Sequence, residues 1–72
     1  ILLDGLLPIH EVEGMLGVKN MKDEGEDFAT LAGFLLHHLK RLPREGDVVE
    51  WQQIRFEIID MDERRIDKVL VI

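Results

Sequence analysis

Over residues 30–43 the chain reads TLAGFLLHHLKRLP, and the apolar positions Leu31, Ala32, Leu35, Leu36, Leu39 and Leu42 recur at intervals of three and four. That spacing places them on one face of a helix, with Thr30, Gly33, His37, Lys40, Arg41 and Arg44 on the opposite side. Pro43 cannot continue the helix and pushes Leu42 toward extended backbone, while cations gather in the last turn, where the helix dipole is negative. Asp27 and Thr30 are the candidate N-caps, and Phe28 is placed to pack on the following turn and set the helix's direction. No other stretch carries so much apolar side chain at helical spacing, so the rest of the chain is expected to cover it.

Ahead of this helix, ILLD reads as a short strand with Asp4-Gly5 as its turn, and Pro8 is placed to open a second, shorter helix. On that helix Ile9, Val12, Met15 and Leu16 share a face, His10, Glu11 and Glu13 point away, and Gly17 is a terminator. Residues 19–27 hold one apolar side chain in nine and are expected to form an exposed, mobile loop. After Pro43 the turn REGD leads into a period-two pattern that predicts strands over 48–51, 54–61 and 66–72, joined by Gln52-Gln53 and a loop near residues 62–65. Ile54, Phe56 and Ile58 face one way and Arg55 and Glu57 the other, whereas residues 69–72 are continuously apolar and leave open which face is buried. The predicted architecture is α+β in the order β-α-α-β-β-β, two helices on one face of a mainly antiparallel sheet.

Composition narrows this picture. Seventy-two residues make one domain, and 46% apolar with 33% charged residues fits a folded unit rather than a tail. No apolar run approaches the ~18 residues of a membrane span. The chain opens inside ILL without an initiator Met and closes inside VLVI, which reads as a module cut from a longer protein. Without cysteine there is no disulfide framework, and a reducing, cytoplasmic setting is the default expectation. The net charge of −6 opposes a nucleic-acid partner, which needs a cationic face to displace counterions. The acidity is concentrated early: residues 1–36 hold seven acids and two bases, residues 37–72 eight and seven.

Chemistry is sparse. There is no Ser, Cys or Tyr, and the only Thr opens the central helix, so covalent catalysis has little to work with. His37 and His38 are about 100° apart on a helix and do not easily share one substrate or metal; His38 is expected near Phe34 and Leu42, and His37 on the solvated face with Arg41. The run DMDERRID over residues 60–67 resembles the start of a calcium loop, but Arg64 and Arg65 stand where a further oxygen ligand and the sharp-turn Gly belong, so no metal site is expected. The glycines form no phosphate cradle. What remains is a candidate partner contact composed of His37, Lys40, Arg41, Arg44 and Trp51, with Trp51 either covering the sheet end or anchoring a partner.

Several pieces in this order carry a family resemblance: DG at 4–5, TLAG at 30–33, RLP at 41–43, GD at 46–47, RFEI at 55–58, and MD followed by RRIDKV at 64–69. Together they resemble the CorC/HlyC transporter-associated domain across essentially the whole chain. The resemblance implies a cytoplasmic C-terminal module of membrane proteins described as hemolysins or as magnesium and cobalt efflux proteins. In that family it usually follows a transmembrane domain and a pair of CBS domains, and modulates ion transport. It implies a fold grouped with FAD-binding domains of the PCMH type, which by analogy alone makes FAD or an adenine nucleotide the alternative ligand and otherwise predicts no cofactor. The expected function is therefore a non-catalytic regulatory domain that docks on CBS or transmembrane neighbours, without itself entering the membrane. A homodimer is also expected, from the edge strand of a small sheet and the apolar VLVI end. Three departures from the family pattern stand at Lys40, Gln53 and Glu63, where Gly is usual, and predict a longer loop or a small stability cost at each.

Overall fold

The structure is a computed structural model that describes residues 1–22 and 28–72. The order is β1 (Leu2–Asp4), α1 (Ile9–Leu16), α2 (Leu31–Leu39), β2 (Val48–Trp51), β3 (Ile54–Asp62) and β4 (Arg65–Val71), the α+β arrangement the sequence pattern predicts. The four strands form one sheet in the order β1-β4-β3-β2, with every neighbouring pair antiparallel. The apolar end is an interior strand: β4 lies between β1 and β3, with Val69 and Val71 buried and Leu70 on the other face. The sheet's edges are β1 and β2, so the VLVI stretch that motivated the dimer expectation is not itself an edge.

Both helices lie against one sheet face. Leu3, Val49, Phe56, Ile58, Ile66, Val69 and Val71 from the strands meet Ile9, Val12, Leu31, Phe34 and Leu35 from the helices. Phe34 is at the centre, with ring centroids 5.9 Å from Phe28, 5.7 Å from Trp51 and 5.6 Å from Phe56. Burying a side chain of this size contributes about 1.5–3 kcal/mol, and no polar side chain among the described residues is buried with them. The inward alternation of Ile54, Phe56 and Ile58 continues only as far as Ile58. Register shifts on either side of Asp60 then leave Ile59 exposed and bring Met61 opposite Ile66.

The central helix is shorter than its apolar pattern. It ends at Leu39, because Lys40 adopts the left-handed conformation (φ 59°) and its N–H donates to the Leu36 carbonyl, stopping the helix before Pro43 acts. Leu42 therefore lies off the helix and is 80% exposed, and Leu36 also faces solvent. Phe34 takes the buried position instead. Gly33, expected on the polar side, lies under Phe28, and a Cβ there would approach the Phe28 Cβ to 2.8 Å.

All four N–H groups at the start of α2 have acceptors. Leu31 donates to the Leu7 carbonyl, Ala32 to Gly5, Gly33 to Thr30 Oγ1 and Phe34 to the Thr30 carbonyl. Thr30 is thus the cap, while Asp27, the alternative, lies outside the described residues. In α1, Pro8 occupies the cap position and Gly17 closes the helix at φ 68°. Ile9 and Val12 are buried as expected, but Met15 is exposed. Of the expected mobile loop, residues 23–27 lie outside the described residues. Met21 contradicts that expectation directly: it is buried, and its N–H donates to Glu13 Oε2 at 2.9 Å.

The hairpins are tight despite lacking glycine. Gln52 (φ 49°) and Gln53 (φ 67°) form a two-residue connection with both centres at positive φ, the type I′ geometry that matches strand twist. Asp62 pairs with Arg65 across a second two-residue turn, where Glu63 has φ 58°. Neither loop lengthens. Strand register imposes the conformation, at a cost of order 1 kcal/mol per left-handed non-glycine residue.

Candidate functional site

The five residues singled out from sequence all lie near the C-terminal end of α2 or on β2. Arg41 forms a bidentate pair with Asp47, at 3.0 Å from Nη1 to Oδ2 and 2.9 Å from Nη2 to Oδ1, and Asp47 also accepts from the Arg44 N–H at 2.8 Å. This ties residues 41–47 into a closed loop. The Arg41 hydrogen bonds, followed by the Arg44 N–H, hold the Asp47 carboxyl below its ordinary value, and Asp47 in turn raises the Arg41 guanidinium. Arg41 therefore clamps this loop while its side chain stays about half exposed.

Trp51 resolves toward covering the core: it is half-buried and meets the Phe34 ring edge-on, at 89° between planes. His37 and His38 are both exposed at the helix surface. Their rings nonetheless come together, with centroids 5.3 Å apart, His37 against Phe28 and His38 over Phe34 at 4.5 Å. His38 thus meets Phe34 as expected, and His37, exposed as expected, also packs its ring on Phe28. Among the described residues no group of three His, Asp or Glu side chains could hold a metal ion.

Sequence reasoning missed two features. The first is the sheet's outer face, whose lateral rows follow from the register. One row is Leu2, Leu70, Glu57 and Val48, and it is flanked by Asp4, Lys68 and Asp60 on one side and by Arg55 and Glu50 on the other. Arg55 exchanges backbone hydrogen bonds with Ile72, which adds a further exposed apolar residue. Lys68 lies 3.5 Å from Asp4 and 3.4 Å from Asp67, and Arg55 lies 3.8 Å from Glu57. The Asp4 carboxyl is lowered first by the Leu6 N–H it accepts and also by Lys68. Burial pulls the Lys68 amine down, but Asp4 and Asp67 outweigh it and leave it raised. The alternation of residues 54–58 was the signal for this face, but the strand order needed to assemble the row was not readable.

The second missed feature is a hollow of about 260 Å³ between the loop after α2 and the β3–β4 turn, lined by Leu42, Pro43, Met61, Glu63 and Arg64. No periodicity links these residues, which lie about twenty positions apart.

The fold defines the class first: a two-layer α+β domain with both helices on one side of its sheet and, among the described residues, no helix on the other. The chain belongs to the CorC_HlyC family of transporter-associated domains, whose model matches residues 1–72. It is 44% identical over 71 residues to the UPF0053 protein sll0260 of Synechocystis, covering 97% of this chain and 16% of that protein. It is 36% identical over 70 residues to the polyamine export protein of Haemophilus influenzae, again covering 97% and 16%. The chain thus spans about one sixth of the length of these relatives. Among solved structures it resembles the CorC_HlyC domain of a Xylella fastidiosa hemolysin in complex with Mg++ and Mn++, with TM-score 0.84 and 39% identity, covering 99% of this chain and 82% of that one. It also resembles the transporter-associated domain of a CBS domain protein from Porphyromonas gingivalis, with TM-score 0.81 and 31% identity, covering 94% and 80%. No helix among the described residues is long and apolar enough to cross a membrane.

Proposed function

We propose that this domain is a non-catalytic regulatory module of a hemolysin- or CorC-like membrane protein. It docks on the CBS or transmembrane domains of its parent, or on a second subunit, from the cytoplasmic side, and so modulates the movement of divalent cations such as Mg²⁺ or Co²⁺. The observation that carries the docking is the bare outer sheet face. Its middle row sets Leu2, Leu70 and Val48 beside one carboxylate, Glu57, with charged rows on both sides, a small apolar patch with a polar rim. A second reading of the cargo is favoured by the polyamine export protein at 36% identity: an organic polycation in place of a metal ion.

Vesicles holding the parent protein, intact or lacking this domain, and loaded with Mg²⁺, Co²⁺ or spermidine, test both readings. Removal of the domain is expected to change the flux of one cargo about fivefold or more, the range of an ordinary coupling energy. Equal flux for all three cargoes with and without the domain would overturn the regulatory role. The proposal includes no flavin: FAD or ATP should leave the Tm of the isolated domain unchanged. Stabilisation that grows with ligand concentration would replace the docking reading with a small-molecule binding one.

A further inference from the structure

We infer that the outer face of the sheet seats one basic amphipathic helix of the parent protein, drawn from the cytoplasmic segments that adjoin its membrane spans. This rests on the reading of the domain as a docking module of a membrane protein, and it names what docks. Leu2, at the β1 end of the middle row, is 56% exposed, and Ile72, beside Arg55, is 70% exposed, so the domain itself leaves apolar side chains open on this face. The flanking rows lie two residues to either side of the middle row, which sets them about 13 Å apart at ~3.3 Å per residue. A helix about 10–12 Å across fits between them.

Charge selects the helix. By register the face carries four carboxylates, Asp4, Glu50, Glu57 and Asp60, and two cations, Arg55 and Lys68. Both cations are already engaged, Lys68 with Asp4 and Asp67 and Arg55 with Glu57. Glu50 and Asp60 are exposed, one in each flanking row, and among the described residues neither carboxylate has a hydrogen bond or an ion pair. Open carboxylates on opposite sides of an apolar row fit Lys or Arg on both sides of an apolar stripe.

The same charges disfavour the other occupants. A second copy would set four acids and two bases, a net −2, against an identical face. An anionic bilayer would meet that face on a chain of net charge −6 and be repelled by it. A membrane protein supplies the complement, because its cytoplasmic segments next to membrane spans carry an excess of Lys and Arg. Such a segment in the same polypeptide needs only weak intrinsic affinity, since tethering supplies a high effective concentration.

The test uses the 72-residue domain and a fluorescein-labelled peptide, Lys-Leu-Ala-Lys-Leu-Leu-Arg-Ala-Leu-Lys-Lys-Leu-Ala-Arg, followed by anisotropy and by backbone amide shifts. Controls are the same peptide with Glu for every Lys and Arg, the same peptide with Ala for every Leu, and sedimentation of the domain alone. The basic peptide should bind and shift the amides of Val48, Glu57 and Leu70. Binding should weaken about fivefold or more for Glu50→Lys and for Asp60→Lys, since charges flanking a contact set its complementarity. Glu11→Lys makes the same charge change on α1, in the helix layer, and should leave binding within about twofold. All three residues are exposed, so the variants remain folded, which the Tm checks. Four results would overturn the assignment: no binding of the basic peptide, equal binding of either control peptide, an equal loss for Glu11→Lys, or a dimer that Leu2→Lys with Ile72→Lys dissociates. Failure of the peptide to bind, with that double variant still releasing the domain from its parent, would remove this occupant and leave the docking reading standing.

Discussion

The two faces of the sheet obey different rules. On the inner face Leu3, Val49, Phe56, Ile58, Val69 and Val71 pack against α1 and α2, and no polar side chain is buried with them among the described residues. The outer face alternates short apolar stretches with ion pairs such as Lys68 with Asp4 and Arg55 with Glu57, and Leu2 and Ile72 remain open to solvent. The inner face holds the fold together by close packing, and the outer face is tolerant of exchange as far as folding is concerned. In a domain of this size the margin of stability is only a few kcal/mol, so residues that fold it and residues that contact others should separate cleanly in mutational data.

The largest expected effect is on the inner face. Phe34→Ala removes the ring shared by Phe28, Trp51 and Phe56 and should cost about 3–5 kcal/mol in urea unfolding, enough to leave the domain largely unfolded at 37 °C. A loss under 1 kcal/mol would mean that the inner face is not the core. Next comes Gly33→Ala, which forces a Cβ onto Phe28 and should cost about 1–3 kcal/mol even though Ala is the better helix former. A stabilised variant would show that the helix relaxes away from Phe28. In the opposite direction, Asn-Gly in place of Gln52-Gln53, or Lys40→Gly, should each raise stability by about 1 kcal/mol, or roughly 4–8 °C in Tm. No gain would mean that the left-handed conformations cost nothing here.

Acid should act through the loop at residues 41–47. The folded Asp47 carboxyl is lowered, chiefly by Arg41, so its contribution is present above the unfolded value of about 4 and is lost as pH falls through the folded value. A thermal-melt series from pH 6 downwards should therefore decline less steeply for Asp47→Asn than for the parent sequence. The mutation should have no such effect at neutral pH beyond a constant offset. Parallel curves throughout would remove the clamp from the account.

Legibility followed the same division. Helical spacing and two-residue alternation announced the elements, and the inward set Phe56 and Ile58 was read correctly, because burial of apolar surface enforces a strict period. Leu42 departs from its expected place because a left-handed Lys40 ends the helix, and backbone conformation at a single residue leaves no periodic trace; Leu36 and Met15 lie within their helices but off the buried stripes, which run through Leu31, Phe34 and Leu35 and through Ile9 and Val12. Met21 was missed because one buried side chain in a polar run has no pattern at all. The Arg41–Asp47 clamp and the hollow at Leu42 and Arg64 depend on chain reversals that bring distant positions together, and the outer rows depend on strand order. Exposed cations looked like a docking patch in sequence, but whether each already had a carboxylate partner was a question of tertiary geometry.

The most direct test pairs two readings on one variant, Leu2→Lys with Ile72→Lys, because both residues are exposed on the bare side of the sheet. Affinity is measured between the 72-residue domain and its parent protein lacking it, alongside the melting temperature of the domain. The account predicts at least a tenfold loss of affinity, about 1.4 kcal/mol, with Tm within about 4 °C of the original. Undiminished affinity in a folded variant would contradict it.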